Sequence, residues 1–285
     1  MYIVCYNIFN KISKRYLKSK NIKRTNKNMK NNTNSKSLII ANTKSYITNL
    51  KSFYKLQDSI WQKLEKENYT YMCAVPSSLI YKIEKEGYRA FTIGAQNFEA
   101  TENGTFTGAN TFENILEAGA RFVIVGHSET REMSDSDDLV NLKVRKTISN
   151  NFTTILCVGE KERVGDVEYV DFIKNQLKQD LKNIDKNHIS KLIIAYEPLW
   201  AIGAAKAATS DEAQEAIIII RRTLVDMFGI DNAKKIKVIY GGSVDADNAK
   251  RFVSEATADG VLVGRASMDS NKFAGIVNSL NSNDR

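Results

Sequence analysis

A single glutamate stands where a chain would place a base. Leu192-Ile193-Ile194-Ala195 reads as a buried apolar run that ends in Tyr196 and Glu197, and the small-residue segment Pro198-Leu199-Trp200-Ala201-Ile202-Gly203 follows at once. A carboxylate partly shielded by apolar neighbours suits proton transfer, and the segment behind it reads as a mobile flap. The plainer alternative is a surface glutamate that ends a strand.

The positions after other apolar runs hold complementary chemistry. Asn42 and Lys44 follow Leu38–Ala41, and Gly126-His127-Ser128-Glu129 follows Phe122–Val125. Gly241-Gly242-Ser243 follows Ile236–Tyr240, and Gly264-Arg265 follows Gly260–Val263. Together these supply a base, an imidazole, an ammonium, an amide and two glycine-containing loops. Proton transfer beside the carbonyl of a phosphate ester needs this set and little else. Glycine lets backbone approach a ligand closely, and free N–H groups ahead of a helix attract anions. Taken alone, Gly-Gly-Ser is a turn at least as often as a phosphate cradle. His127 alone would more often be a structural histidine, but its place between Gly126 and Ser128, directly after a strand, argues against a core role. Glu129 reads first as an ion-pair partner, with Lys44 the candidate. His188, in the polar run Asp185-Lys186-Asn187, reads as a solvated loop residue. Cys157 reads as packing, and Ile217–Ile220 as a helix buried on more than one face.

The elements that must carry these residues alternate along the chain. Leu38–Ala41, Tyr71–Val75, Phe91–Ala95, Phe122–Val125, Thr154–Val158, Leu192–Tyr196, Ile236–Tyr240 and Gly260–Val263 read as short buried parallel strands. Between them lie charged, helix-periodic stretches such as Phe53–Lys66, Val167–Asn183 and Ser210–Phe228, the last preceded and opened by the helix-starting residues Thr209, Ser210 and Asp211. Ser210 and Ala213 form no capping box. Eight strands and intervening helices over about 250 residues predict a single-domain (β/α)8 barrel of class α/β. An open doubly wound sheet usually has a Gly-rich turn after its first strand; here Asn42-Thr43-Lys44-Ser45 stands there. In a barrel the residues after each strand meet on one face, and the last two loops are the usual phosphate site.

Bulk composition narrows the partners. The chain has 285 residues, 42% of them hydrophobic, enough for a sizeable core. No stretch approaches the ~20 apolar residues of a membrane span. Three cysteines, Cys5, Cys73 and Cys157, have no metal-ligand spacing and suggest a reducing compartment; two histidines make a His-rich metal site a poor reading. The net charge of +8 is uneven. Residues 1–36 hold eight Lys, two Arg and no acid, a charge of +10, which leaves −2 for the other 249 residues. The basic character thus belongs to the N-terminal stretch, and no basic face with interleaved aromatics suggests nucleic acid. Residues 1–36 have a disorder-prone composition and read as an extension, with 37–285 as the catalytic barrel. That extension fits an organelle presequence, an anchoring or polyanion-binding tail, or, most simply, a translated upstream region with Met29 as the start.

Val123-Ile124-Val125-Gly126-His127-Ser128-Glu129, Ala195–Gly203, Tyr240-Gly241-Gly242-Ser243-Val244 and Gly260–Gly264 resemble the motifs of the triosephosphate isomerase family, in its order. Gly94-Ala95-Gln96-Asn97 with Phe106-Thr107-Gly108 does so too. The resemblance runs from about Leu38 to the C-terminus. It implies a cytoplasmic enzyme of glycolysis and gluconeogenesis that interconverts dihydroxyacetone phosphate and D-glyceraldehyde 3-phosphate without metal or organic cofactor, membrane or nucleic acid. Glu197 would move the proton between carbons. His127, neutral, would donate to the carbonyl oxygen and shuttle a proton between the enediolate oxygens, with Lys44 and Asn42 stabilising charge and holding oxygen. Gly203, Ser243, Gly264 and the backbone of Arg265 would bind phosphate. Pro198, Leu199, Trp200, Ala201, Ile202, Gly203 and Lys206 would belong to a lid running to Ala208. The stretch Gln96–Thr111, with Gln96 and Asn97 at its base and Thr107 at its tip, would be the arm of a homodimer, reaching the partner's site.

The chain also departs from the pattern. Thr43 stands where the family usually has Trp, and Arg265 replaces a second Gly, adding a cation beside the site. Ala204-Ala205 precede Lys206 where Thr-Gly is common. Ala109 and Thr130 replace a Glu and an Arg that can pair across the interface, so both partners are missing together. None of these removes a catalytic group. An isomerase of a four-carbon ketose phosphate, with Arg265 marking a reshaped pocket, is the near rival. A non-catalytic phosphate-binding barrel is the distant one, since a binding module needs no base.

Overall fold

The computed structural model describes residues 37–64, 69–88, 90–101, 104–163, 167–203 and 207–281. The expectations for residues 1–36 and for Ala204, Ala205 and Lys206 fall outside them.

Eight parallel strands pair in sequence order: β1 (Ser37–Asn42), β2 (Tyr69–Val75), β3 (Thr92–Ala95), β4 (Phe122–Val125), β5 (Thr153–Val158), β6 (Leu192–Tyr196), β7 (Lys237–Tyr240) and β8 (Gly260–Val263). Pairing of Leu38 with Gly260 through Ala41 with Val263 closes β1 on β8, so the predicted barrel is the fold. The helices between them are α1 (Leu50–Lys63), α2 (Ser77–Lys85), α3 (Phe112–Glu117), α4 (Ser128–Met133), α5 (Asp137–Ser149), α6 (Glu168–Asp180), α7 (Ser210–Phe228), α8 (Ile230–Ala233), α9 (Ala249–Ser254) and α10 (Ser270–Asn281).

Alternation along the strands divides two cores. Leu38, Ile40, Met72, Ala74, Phe122, Ile124, Ile155, Cys157, Ile193, Ala195, Ile239 and Leu262 form the inner one. Their neighbours, Ile39, Ala41, Val123, Leu156 and Ile194 among them, pack outward with the helices. Large and small residues interlock inside: a Cβ at Gly94 would fall 2.4 Å from the Phe122 ring. Continuing the inward parity to the end of each strand reaches Asn42, Pro76, Gln96, Gly126, Gly159, Glu197, Gly241 and Gly264. The same two-residue period that builds the apolar interior therefore ends, at the barrel mouth, in polar side chains, glycines and one proline.

Local details differ from the sequence expectations. The capping box of α7 lies one residue earlier than Ser210: Thr209 Oγ1 accepts from Glu212 N–H (3.2 Å) and Glu212 Oε2 accepts from Thr209 N–H (2.7 Å). α1 begins at Leu50, three residues before the predicted start, because Asn49 caps it by accepting from Ser52 N–H (3.2 Å). α6 ends at Asp180, ahead of Asn183, which has φ +58°. Of the four isoleucines in α7, only Ile217 and Ile220 are buried, as one packed face requires.

Candidate active site

Glu197 is 2% exposed and begins the segment behind β6. Its backbone N–H donates to Val158 O (2.8 Å), which carries the β5–β6 ladder one residue beyond the strand. Close backbone approach on both sides explains the neighbouring glycines. A Cβ at Gly159 would lie 1.8 Å from Glu197 O, and one at Gly241 would lie 3.0 Å from Glu197 Cγ. The carboxylate accepts from Ser128 N–H at Oε2 (3.2 Å), while Oε1 lies 3.4 Å from His127 Nε2. Beneath it Cys157 is 1% exposed, and burial, reinforced by the negative charge of Glu197, raises its thiol pKa well above the usual value. The thiol is packing, as expected.

His127 is the N-cap of α4. Glu129 N–H donates to His127 Nδ1 (3.2 Å), so that nitrogen presents a lone pair and the ring's proton lies on Nε2, the edge facing Glu197. Lys44 Nζ pairs with Glu129 Oε1 at 2.6 Å, and Glu129 Oε2 lies 3.8 Å from His127 Nδ1. Glu129 thus has the ion-pair role expected of it, and it links the ammonium to the imidazole.

Lys44 adopts φ +45°, a costly conformation for a side chain with Cβ. Its surroundings compensate. Lys44 N–H donates to Asn42 Oδ1 (3.0 Å), and Gln96 Nε2 donates to Lys44 O (2.9 Å), Thr43 Oγ1 (3.1 Å) and Ala74 O (3.2 Å). Thr43 is fully buried and donates to Ala74 O (2.9 Å), so a hydrogen-bonded hydroxyl occupies the position where an indole was the family expectation. Gln96 braces the Lys44 turn, a function that its assignment to the arm did not foresee. Asn97 likewise accepts at Oδ1 from the buried Lys143 Nζ (3.0 Å), which also contacts both oxygens of Asp135 (2.7 and 2.9 Å). Thr107, at the loop tip, is exposed.

The opposite side of the mouth is more open. Pro198 and Ala201 are buried, Leu199–Ala201 form one 3-10 turn, and Ile202 and Gly203 are exposed. Gly203 has φ +71° and open space where a Cβ would be. Ser243 Oγ donates to Ala201 O (3.0 Å), joining the loop after β7 to the flap. A Cβ at Gly264 would lie 3.5 Å from Lys44 Cε, so the loop after β8 borders the ammonium. Arg265 is exposed at the start of a 3-10 turn (Arg265–Met268).

Two supporting residues went unread in the sequence. Glu160, 1% exposed, accepts at one oxygen from both Tyr196 OH and Trp200 Nε1, each at 2.8 Å. Burial, and then the Glu160 charge, raises the Tyr196 pKa well above that of a free phenol, which keeps it a donor. Arg131 donates to Gly126 O (2.8 Å), Cys157 O (3.3 Å), Asp137 Oδ1 (2.6 Å) and Asp180 Oδ2 (2.5 Å), riveting the end of β4 to β5. A cleft of about 310 Å³ lined by Arg131, Glu132, Lys161, Cys157 and Glu197 lies behind the base. The strand-end rule could have found Glu160, which follows β5 at Gly159; only distant contacts identify Arg131.

Comparison with known proteins identifies the family. The family model described as triosephosphate isomerase matches residues 37–280. Triosephosphate isomerase of Mycoplasma mobile is 39% identical over 251 residues, covering 85% of this chain and 99% of that protein. That of Alkaliphilus oremlandii is 35% identical over 227 residues (78% and 91%), and that of Clostridium novyi is 42% identical over 189 residues (65% and 75%). With a closed eight-strand barrel that brings Asn42, Lys44, His127 and Glu197 to one mouth, the chain belongs to the triosephosphate isomerase family.

Proposed function

We propose that Glu197 and His127 carry the isomerisation for which the family is named, the interconversion of dihydroxyacetone phosphate and D-glyceraldehyde 3-phosphate, a step of glycolysis. The observation that carries this assignment is the 3.4 Å approach of a buried carboxylate to the Nε2 edge of an imidazole whose other nitrogen is already occupied as an acceptor. A substrate carbon entering beside them meets a base on one side and an N–H donor on the other. Glu197 takes the proton from the carbon beside the carbonyl. His127 Nε2–H supports the oxygen as negative charge develops, and moves a proton between the two oxygens of the enediolate. Glu197 then returns its proton to the neighbouring carbon. Lys44 and Asn42 add charge and a polar anchor. The ion pair with Glu129 holds the ammonium at the imidazole end.

The phosphate sits at the β7–β8 side, on backbone N–H groups of Gly203, Ser243, Gly264 and Arg265. The Ser243 hydroxyl is engaged with Ala201 O, so it is the main chain of this loop that faces the anion. Pro198–Ala208 closes over the substrate, excluding water and protecting the enediolate from loss of phosphate. Closure also offers a partner to the Tyr240 hydroxyl, which is buried without one among the described residues.

The assembly is a homodimer, with the Gln96–Thr111 arm docking on a second copy. Support comes from Tyr46 (49% exposed), Phe106 (54%) and Met133 (84%), large apolar residues on loops or helices near the ends of β1, β3 and β4. The enzyme works in the cytoplasm, and residues 1–36 are an extension dispensable for catalysis; among the described residues no helix is long and apolar enough to cross a membrane.

The experiment is a coupled assay of triose-phosphate isomerisation on wild type and Glu197→Asp. Even a retreat of roughly 1 Å by a proton-transferring group can cost about 100-fold, so kcat should fall at least that far while the melting temperature holds. Full activity in the variant would remove Glu197 from the mechanism.

A further inference from the structure

We propose that Arg163 is a positioning residue that ties both ends of the lid segment to one fixed cation and so holds the base in register. The inference rests on the reading of Glu197 as base and Pro198–Ala208 as lid. Arg163 lies between β5 and α6, away from the reacting groups, with only 14% of its side chain exposed. Its guanidinium is centred 4.3 Å from the Tyr169 ring on α6 and 5.8 Å from the Trp200 ring. Its N–H groups donate to Glu212 O (3.0 Å) and Glu215 Oε2 (2.7 Å), in the first two turns of α7.

Trp200 is three residues beyond Glu197, and α7 begins two residues after Ala208. One planar cation therefore touches the segment where it leaves the barrel and the helix where it returns. Arginine suits this place because its flat face can lie against an aromatic ring while its edge donates in fixed directions. Glu160 completes the seat: Trp200 Nε1 donates to Glu160 Oε1 (2.8 Å), and Leu199 N–H donates to Glu160 O (3.0 Å). The indole is thus held at its N–H by an anion and approached on its ring by a cation. The departing end of the lid has a defined position, and Glu197 inherits it through a three-residue connection that includes Pro198.

The test uses the full chain with Trp61→Phe, which leaves Trp200 as the single tryptophan. Arg163→Met keeps the apolar stem and removes the charge and its hydrogen bonds. We expect kcat to fall about tenfold with KM changed less than twofold, and acrylamide quenching of Trp200 to increase. Arg163→Lys, which keeps a cation near Tyr169 and Glu215, should recover part of kcat. The effect should vanish against Trp200→Phe if the indole transmits it, so the double variant should be no slower than Trp200→Phe alone. Wild-type kcat and unchanged quenching in Arg163→Met would overturn the proposal, as would a lowered melting temperature with kcat intact, which would make Arg163 structural only. If Arg163→Met does not fold, Glu215→Gln weakens the same anchor and should lower kcat two- to threefold; no change there would also overturn it. Failure of this proposal leaves the Glu197→Asp result untouched, whereas full activity in Glu197→Asp would refute the site itself.

Discussion

The two sides of the barrel mouth are built on different terms. On the β1–β4 side, Asn42, Lys44, Gln96, His127 and Glu129 hold one another through side-chain hydrogen bonds and an ion pair, and the strained Lys44 is braced by Asn42 Oδ1 and by Gln96, which also bonds to Thr43 and Ala74. On the β6–β8 side the same inward positions are Glu197, Gly241 and Gly264, followed by exposed Ile202, Gly203 and Arg265. Groups that stabilise developing charge work best when fixed beforehand. In the function proposed above, the β6–β8 side carries the lid and is the moving side. The labour divides by strand: the polar side chains that hold one another follow β1, β3 and β4, whereas after β6–β8 the base Glu197 is joined by Gly241 and Gly264.

Glu197→Asp is the harshest way to break that division, because the base is the moving side's one chemical group. Lys44→Ala probes the fixed side. It should cost about 100-fold in kcat/KM, the scale of removing one charge-stabilising donor, with KM rising as well as kcat falling. Glu129 is about half exposed, so its released carboxylate can be solvated and the melting temperature should move little. If KM stays put, Lys44 is not at the substrate and the fixed side reduces to His127 and Asn42.

Arg265→Gly sharpens the comparison on the moving side. An exposed cation near a dianionic substrate contributes on the order of 1 kcal/mol or less, and salt screens it. KM should therefore rise about threefold at low ionic strength, with a smaller rise at high salt and kcat unchanged. A gain of activity on a four-carbon ketose phosphate in wild type that is lost in Arg265→Gly would instead make this residue a determinant of substrate length.

Between the two sides lies the Arg131 rivet, which holds Gly126 O and Cys157 O together and leans on Asp180. Burial raises the Asp180 carboxyl from 3.8 to about 7, with Arg131 opposing the rise. The folded state thus keeps this proton better than the unfolded chain. The resulting stabilisation is complete below pH ~4 and is lost as pH climbs through 7. Asparagine cannot titrate, so Asp180→Asn should flatten that decline. A rise from 3.8 to about 7 is about three tenfold steps of proton affinity; at about 1.4 kcal/mol per step and roughly 2–4 °C per kcal/mol for a chain of this size, the wild type should lose on the order of 10 °C relative to Asp180→Asn between pH 4 and pH 8. Parallel pH profiles would mean that Asp180 is ionised throughout and acts only as a charge partner.

What could be read from the sequence follows the same contrast. Strand-end residues were legible because strand order alone brings them to one face: Asn42, His127, Glu197 and Gly264 needed no knowledge of packing. The Lys44–Glu129 pair was legible because two opposite charges end strands on the same face. Gln96 was read for its loop and not for its side chain, since nothing local says that an amide will reach back to Lys44 O, 52 residues away. Arg131 and Arg163 were invisible for the same reason: an arginine in a charged stretch looks solvated until the partners on other elements are known. The capping box was missed by one residue because Thr209 and Ser210 are both good helix-start residues, and only the reciprocal bond from Glu212 decides between them.

Removing residues 1–28 should change least. The family match begins at residue 37, the barrel closes through β1 beginning at Ser37, and every residue assigned to chemistry or phosphate lies between 42 and 265. The deletion nevertheless removes eight positive charges and no negative ones, taking the net charge from +8 to about zero. If those charges steered an anionic substrate, kcat/KM would drop and its salt dependence would flatten. If they only decorate the N-terminus, kcat, KM and the salt dependence would all stay as they are, while retention on a cation exchanger collapses. We expect the second outcome, because salt screens exposed charges and the cations assigned to substrate, Lys44 and Arg265, belong to the barrel itself. A flattened salt dependence in the truncated protein would show instead that the moving side of the site borrows its charge from outside the barrel.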